Sequence, residues 1–226
     1  LNPYDLKPEA QQIVHLRLPA GKEDCNVSRK ENWVTSSSEP VVMSLSKNHQ
    51  GKYTATKVNQ KGLLQYVSFA KREYVLSESL CIPAYGAIDS DMNMTALVAA
   101  LFTGGQVRIY QTKSISKMLE LIIDEKMVNT MKVSTELLCN IGSYGKQFSF
   151  IRQWIVSGSM IPTKLATYIL DLSKEESKLW YEYVPDSINF GVLIHRFDKN
   201  QKNGSYVPVG KPIDGLKVYV IDHDKN

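Results

Sequence analysis

The stretch SLSKNHQGKYTA, residues 44–55, contains residue types that suit a loop around phosphate groups. Glycines and small hydroxyl residues let backbone N–H groups approach a phosphate closely, and a lysine supplies positive charge. Lys52 could provide that charge, but Gly51 is the only glycine in the stretch. We predict a buried strand, VVMSL, before the loop and a helix after it. Two interpretations follow: a working phosphate loop, or a polar loop that no longer binds phosphate.

The elements that would position such a loop alternate regularly from residue 40 onward. The predicted strands are VVMSL, SLCIPAY, QVRIYQ, VNTMKVS, IRQWIVSGS and KLWYEYV. The predicted helices between them are KVNQKGLLQYVSFAKREY, MNMTALVAALFTGG, SISKMLELIIDEKM, TELLCNIG and PTKLATYILDL. In the third of these helices the apolar residues recur at helical spacing, and Ser114 suits its N-cap. This alternation predicts an α/β fold, a doubly wound and mainly parallel sheet with helices on both faces.

Ligands of such sheets bind beyond the carboxyl ends of the strands. The loops that follow the predicted strands are therefore the ones expected to carry function. They are residues 46–56, 85–92, 157–161 and 183–188.

Three regions differ in composition along the chain. Residues 1–38 are polar, so we predict a linker or arm around a possible short strand, IVHLRLP. Residues 39–188 form the predicted α/β core. Residues 189–226 are strand-rich, and we predict a hairpin or sheet edge that starts a smaller β-rich subdomain.

Composition excludes several classes of protein. The net charge of +4 comes from 27 basic and 23 acidic residues scattered along the chain, without the clustered basic face that nucleic acid binding requires. No apolar stretch is long enough to predict a membrane-spanning helix. Cys25, Cys81 and Cys139 are far apart without a CxxC motif, which argues against a disulfide framework or zinc site and favours a reducing, cytoplasmic compartment.

The tail VGKPIDGLKVYVID, residues 209–222, resembles the segment GrPi.n..vyvlD of the amino-acid adenylation domains of nonribosomal peptide synthetases. These domains belong to the AMP-forming acyl and aminoacyl ligase superfamily. IRQWIVSGSMIPTKLATYIL and DMNMTALVAALFTGGQVRIY resemble two further segments of the family, in the same order and spacing. The resemblance extends from about residue 40 to 222, and it implies the N-terminal core of an adenylation domain.

The family joins a carboxylate to the α-phosphate of ATP and releases pyrophosphate, with Mg²⁺ bound. Its phosphate loop, T-S-G-T-T-G-k-P-K-G, falls on residues 46–55 of this chain. The first positions of that loop are occupied here by Ser46, Lys47, Asn48, His49, Gln50, Gly51 and Lys52. The first hydroxyl and one glycine are kept, whereas bulky side chains stand where backbone would meet phosphate. The resemblance therefore favours a degenerate loop, with Lys52 as a possible displaced substitute for the family's lysine.

The family's Y-G-P-T-E segment falls on residues 183–187. Tyr183 matches the tyrosine that stacks on adenine, but Ser187 replaces the glutamate that binds Mg²⁺. Asp186, one position earlier, is either a possible substitute metal ligand or a solvated turn residue.

The resemblance implies two more contacts. The turn formed by Ser157, Gly158 and Ser159 matches the one against which adenine lies, although a plain strand-to-helix turn explains it equally well. Asp91 matches the aspartate that pairs with the substrate's α-ammonium group, with Met92 and Thr95 at pocket positions. A shift of the alignment would exchange Asp91 for Asp89, and an aspartate before a helix is often only an N-cap.

The predicted function is a degenerate, non-catalytic adenylation-like domain with a scaffolding role in a nonribosomal peptide synthetase or hybrid polyketide/peptide megasynthase. Its expected partners are neighbouring domains of the same chain, such as a carrier or tailoring domain, and no cofactor is expected. The alternative is an active adenylation domain that uses ATP and Mg²⁺ and loads a phosphopantetheine carrier. A third possibility is a domain that holds a nucleotide or amino acid without chemistry.

Overall fold

The computed structural model describes ten strands and five α-helices, and the short strand predicted near the N-terminus is among them. The strands are β1 (His15–Arg17), β2 (Pro40–Lys47), β3 (Tyr53–Asn59), β4 (Cys81–Tyr85), β5 (Gln106–Tyr110), β6 (Thr130–Ser134), β7 (Gln153–Ser157), β8 (Lys178–Tyr183), β9 (Leu193–Phe197) and β10 (Lys211–Pro212). The α-helices are α1 (Gln60–Glu73), α2 (Asp91–Thr103), α3 (Ile115–Glu125), α4 (Thr135–Gly142) and α5 (Thr163–Leu172). The described residues are 15–17, 38–47, 53–74, 79–85, 91–112, 114–185, 190–200 and 204–220.

Local side-chain chemistry starts several of these helices. The Ser114 hydroxyl accepts a hydrogen bond from the Lys117 N–H at 3.3 Å at the start of α3, as the sequence predicted. Asn59 and Ser134 cap α1 and α4 in the same way. Such caps satisfy backbone donors that have no partner within the helix.

The central strands run parallel and the edges run antiparallel. One sheet has the order β10-β9-β8-β7-β6, in which β6, β7 and β8 are parallel and β9 and β10 are antiparallel to their neighbours. A second sheet has the order β1-β5-β4, with β4 and β5 parallel and β1 antiparallel to β5. The predicted α/β class is confirmed, with a sheet that is mixed at its edges.

Helices pack on both faces of these strands, as a doubly wound fold requires. Strand β7 shows this directly, because Trp154 and Val156 join the apolar cluster that includes α3, α4 and α5. Ile155, which lies between them, joins the cluster that includes α1 and α2. Adjacent strand residues therefore bury opposite faces of the sheet.

The region around the predicted phosphate loop was predicted wrongly in one respect. Strands β2 and β3 form an antiparallel hairpin, and α1 begins only at Gln60, so the loop joins two strands instead of a strand and a helix. The segment YTATKVN is rich in β-branched and aromatic residues, which favour a strand. Strand β2 is not buried either, since Val41 and Met43 are exposed.

The strand-rich tail joins the main sheet. Strand β9 pairs with β8, and β10 pairs with β9. Gly210 has a φ of +91°, and a Cβ there would lie 2.0 Å from the Ile194 carbonyl oxygen, so the close approach of the tail to β9 requires glycine. The division into an arm, a core and a smaller subdomain stays a prediction.

Candidate functional site

The order of the strands reverses between β4 and β6. Strand β5 pairs with β4 on one side, and β6, the edge strand of the other sheet, lies next to β4 on its other side. Asn129 connects the two sets: its N–H donates to the Cys81 carbonyl at 3.0 Å, and its Oδ1 accepts from the Cys81 N–H at 2.8 Å. In doubly wound sheets a ligand crevice lies outside the carboxyl ends of the strands at such a reversal. We therefore place the candidate site at the carboxyl ends of β4 and β6 to β8, and call this the carboxyl edge.

A buried amide fixes the end of β4 at this edge. The Asn93 side chain, which is 1% exposed, accepts from the Tyr85 N–H at 3.0 Å and donates to the Tyr85 carbonyl at 2.7 Å. The Tyr85 hydroxyl donates to the Lys132 carbonyl at 2.8 Å and so joins β4 to β6. Burial raises the pKa of the Tyr85 hydroxyl, which keeps it protonated as a donor.

Replacing Asn93 by alanine should lower the free energy of unfolding by about 1–3 kcal/mol, because the Tyr85 N–H and carbonyl lose their partners. Urea unfolding followed by circular dichroism measures this loss. Asn140→Ala makes the same chemical change on the exposed side of α4 and is the matched control. Equal losses in the two variants would contradict a role for Asn93 in fixing the end of β4.

The predicted adenine turn follows β7 at the same edge. The Ser157 hydroxyl is buried and lies 3.3 Å from the Met92 sulfur at the start of α2. Gly158 has a φ of +104°, a conformation that side chains rarely adopt, and its carbonyl accepts from the Tyr181 hydroxyl at 3.3 Å. The Ser159 carbonyl accepts from the Thr135 hydroxyl at 2.7 Å. Contacts from α2, α4 and β8 thus hold the turn.

Tyr183, the predicted adenine-stacking residue, ends strand β8 and is 41% exposed. Ser157 is paired in register with Glu182, the residue before Tyr183. The structure therefore brings Tyr183 and the 157–159 turn to neighbouring strand ends. Their role in adenine contacts stays a prediction.

Other predicted site residues are described only in part. Ser46 and Lys47 end strand β2 and Asp91 begins α2, each described for its backbone alone. The remaining candidates lie outside the described residues, and so do the alternatives considered with them. These are Asn48, His49, Gln50, Gly51, Lys52, Asp89, Asp186 and Ser187.

A buried ionic cluster lies beneath the carboxyl edge. The Lys132 ammonium lies 2.6 Å from Glu182 Oε2, and the two side chains are only 2% and 0% exposed. The other carboxylate oxygen, Oε1, accepts from the Tyr66 hydroxyl at 3.0 Å and from the Tyr74 hydroxyl. We call Lys132, Glu182, Tyr66 and Tyr74 the ionic cluster. Together these donors satisfy a carboxylate that burial alone would destabilise.

The electrostatics of the cluster favour the protonated form of the Tyr74 hydroxyl. Burial raises the pKa of Tyr74 well above its ordinary value, and the neighbouring Glu182 carboxylate raises it further. The hydroxyl therefore stays a hydrogen-bond donor at neutral pH.

Sequence reasoning missed the ionic cluster. Lys132 and Glu182 are separated by 50 positions, so no local motif joins them. One signal was present: Lys132 interrupts the predicted strand VNTMKVS, and Glu182 interrupts KLWYEYV. A charge of each sign in two buried strands indicates a pair, because unpaired charges are almost never fully buried.

A similar cluster lies on the other side of the sheet. The Arg108 guanidinium is 2.8 Å from Glu125 on α3, and the Tyr110 hydroxyl donates to the same carboxylate at 2.9 Å. This second cluster has the same chemistry as the first, a buried cation and a tyrosine hydroxyl on one carboxylate. It does not include α1 or β8, so it lies at a different place in the fold.

An apolar cavity of about 180 Å³ lies on the α1 side of the ionic cluster. Tyr66, Phe190, Gly191, Val192, Ile213 and Leu216 are among the residues that line it. Its lining is mainly apolar and suits a small apolar group, with Lys57 and Asn59 as polar residues on the β3 side.

Among the described residues, no group of three or more histidine, cysteine, aspartate or glutamate side chains is arranged to hold a metal ion. Within the same part of the chain, no helix is both long and apolar enough to cross a membrane.

Curated proteins and solved structures that resemble this chain agree with the fold described above. No family model matches the chain. Tyrocidine synthase 3 of Brevibacillus parabrevis is 30% identical over 166 residues, which is 73% of this chain and 2% of that protein. The N-terminal subdomain of Klebsiella oxytoca NpsA, solved with 3-hydroxybenzoyl-AMSN, matches with a TM-score of 0.69 at 16% identity, over 85% of this chain and 50% of that chain.

This chain is a relative of the adenylation domains of nonribosomal peptide synthetases. The adenylation domain AlmE of Vibrio cholerae, solved with glycyl-adenosine-5'-phosphate, has the same fold, with a TM-score of 0.74 at 14% identity. The match covers 84% of this chain and 36% of AlmE. Bacitracin synthase 3 of Bacillus licheniformis is 25% identical over 173 residues, which is 76% of this chain and 3% of that protein.

The adenylation-like chain thus spans a small part of the synthases that it matches, and about half of the NpsA subdomain. Its fold is that of the N-terminal adenylation subdomain. The predicted adenine residues lie at the carboxyl edge of that fold.

Proposed function

We propose that this chain is a non-catalytic adenylation-like domain with a scaffolding role in a nonribosomal peptide synthetase or hybrid megasynthase. The observation that carries this proposal is a coincident loss at two sites. His49 and Gln50 stand in the phosphate loop where small hydroxyl residues are expected, and Ser187 stands where a Mg²⁺-binding glutamate is expected. The two groups that would neutralise ATP phosphates are therefore altered together.

Adenylation depends on both groups. Joining a carboxylate to the α-phosphate and releasing pyrophosphate develops charge on phosphate oxygens, and enzymes stabilise such charge with preorganised N–H donors and cations. A backbone N–H can approach a phosphate only where side chains are small. A serine hydroxyl carries no charge, so it is a weaker Mg²⁺ ligand than a carboxylate.

The fit of Mg²⁺ to this chain is correspondingly poor. Ser187 offers a neutral hydroxyl in place of the carboxylate that the family uses. Asp186 has a suitable carboxylate, but a shift of one position along the chain changes the direction of a side chain, and Mg²⁺ demands near-ideal octahedral geometry.

A scaffolding role agrees with the relatives, which are parts of long synthases. The expected partners are neighbouring domains of the same megasynthase, such as a carrier or tailoring domain, and we infer a cytoplasmic location.

A second candidate function is an active adenylation domain that uses ATP and Mg²⁺ and loads a phosphopantetheine carrier. The observation that favours it is the arrangement of the residues predicted to contact adenine. Tyr183 is accessible at the end of β8, and the 157–159 turn is held beside it.

Isothermal titration calorimetry with ATP and Mg²⁺ separates the two functions. We expect no binding up to millimolar ATP, both for this chain and for the longer protein that contains it, and no pyrophosphate exchange with a panel of amino acids. Micromolar binding would overturn the non-catalytic proposal. In that event Lys52→Ala should abolish binding, whereas Lys57→Ala, an exposed lysine on β3, should leave it unchanged.

Binding by the longer protein alone, with pyrophosphate exchange, would establish the second candidate. It would mean that residues beyond this chain complete the phosphate and metal sites.

A further inference from the structure

The ionic cluster joins elements that carry different parts of the candidate site. Tyr66 lies on α1 and Tyr74 caps its C-terminal end, while Lys132 lies on β6 and Glu182 on β8. Helix α1 follows β3 without a break, so it is attached to the hairpin on which the predicted phosphate loop lies. Strand β8 ends in Tyr183, on the predicted adenine side.

The two tyrosines restrict where α1 can lie along its own axis. They are eight positions apart, so along a helix their Cα atoms are separated by roughly 12 Å. Both hydroxyls nevertheless reach the same oxygen, Oε1 of Glu182. A shift of α1 along its axis would bring one hydroxyl closer and take the other away. Only one axial position of the helix satisfies both hydrogen bonds.

Apolar packing alone does not impose this restriction. Helix α1 buries Val67, Phe69 and Ala70 against the sheet. Apolar contacts are non-directional, and a helix can often exchange one set for another after a shift. A buried carboxylate is directional, because its lone pairs must be satisfied at hydrogen-bond distance.

The chain also packs closely around Glu182 on its other side. A Cβ atom at Gly191 would lie 3.0 Å from the Glu182 Cδ and 3.1 Å from its Cβ and Cγ. Phe190 in turn contacts the Tyr66 ring, with the ring centroids 5.0 Å apart. Glu182 therefore has little freedom to follow a displaced helix.

We propose that Glu182 is a positioning residue that holds α1, and the β2–β3 hairpin before it, in one register against the carboxyl edge. Lys132 is its counter-ion, and Tyr66 and Tyr74 are the points at which the helix is held. A buried ion pair of this kind contributes a unique arrangement more than it contributes stability. The proposal does not depend on nucleotide binding, so it is tested independently of the proposed function.

Native-state hydrogen exchange, read by mass spectrometry without any nucleotide, tests the proposal on the full chain. In Glu182→Gln we expect amides of α1 and β3 to exchange about a hundredfold faster, because the neutral amide leaves Lys132 without its counter-ion and is a weaker acceptor for the Tyr66 and Tyr74 hydroxyls than the carboxylate. Amides of β6 and β7 should change far less. Glu125→Gln is the matched control, since it removes the carboxylate that holds Arg108 and Tyr110 and should leave α1 protected.

A charge-free double variant distinguishes register from stability. Lys132→Met with Glu182→Met removes both charges together, so its urea midpoint should lie well above that of Lys132→Met. It should stay below that of the unmodified chain, because the buried Tyr66 and Tyr74 hydroxyls lose their acceptor. We expect α1 and β3 to remain at least about tenfold less protected even so, because no directional contact fixes the helix.

Two outcomes would overturn the proposal. One is full recovery of the protection of α1 amides from exchange in the double variant. That result would show that the cluster only balances its own charges and does not position the helix. The other is an equal loss of protection in every element of Glu182→Gln.

Discussion

Replacing Lys132 by methionine is expected to lower the free energy of unfolding by about 3–5 kcal/mol. The substitution leaves Glu182, which is 0% exposed, without its counter-ion. A buried carboxylate without a cation must either remain charged in an apolar surrounding or take up a proton, and both states are less favourable than the pair. Chemical denaturation at neutral pH measures the loss.

The surface pair Lys117–Glu120 provides the control for this prediction. Its side chains are 53% and 55% exposed, so Lys117→Met should change the free energy of unfolding by less than about 1 kcal/mol. Adding Glu182→Met to Lys132→Met should restore most of the lost stability. A Lys132→Met variant as stable as Lys117→Met would show that the Lys132 charge is not needed inside the protein.

Replacing Trp154 by alanine should cost a similar amount, about 3–5 kcal/mol, for a different reason. Trp154 is 1% exposed at the centre of the cluster beneath α3, α4 and α5, where its ring meets Phe148 edge-on at 6.2 Å. Its indole N–H also donates to the Ser173 hydroxyl at 2.7 Å. Alanine would leave a cavity, because the surrounding side chains relax only partly. The Ser173 hydroxyl would lose the donor it accepts from and keep its own hydrogen bond to the Ile169 carbonyl at 2.6 Å.

Urea unfolding followed by far-ultraviolet circular dichroism measures the Trp154 effect without relying on tryptophan fluorescence. Trp154→Phe keeps an aromatic ring and should lose less than half as much stability. Tyr219→Ala removes an aromatic ring that is 76% exposed, and it should change stability by no more than about 0.5 kcal/mol. If Trp154→Ala changed the free energy of unfolding as little as Tyr219→Ala, the apolar cluster around Trp154 would not be the core of this half of the fold.

The sheet could be predicted from the sequence because its strands are buried on both faces. Segments such as QVRIYQ and IRQWIVSGS are apolar and bounded by helix signals, and both form parallel strands. Strand β3 could not be separated from α1 in the same way. Its residues run directly into the helical pattern, and only pairing with β2 shows where the strand ends.

The relative position of candidate site residues could be predicted only where each residue lies at the carboxyl end of a predicted strand. The 157–159 turn and Tyr183 follow two predicted strands, so their meeting at one edge follows from parallel order. The Lys132–Glu182 contact depends on the register of β6, β7 and β8, which no local pattern specifies. Long-range ionic contacts of this kind are determined by the assembled sheet.

The junction at Asn129 has a consequence for synthesis on the ribosome. Strands β4 and β5 are complete before Asn129 is made, and until then the side of β4 that meets Asn129 is an open edge. At roughly 5–20 residues per second, that edge stays uncovered for several seconds. Open edges of apolar strands invite pairing with other chains. Chaperone demand during translation should therefore be greatest in this interval, between the emergence of β4 and that of β6.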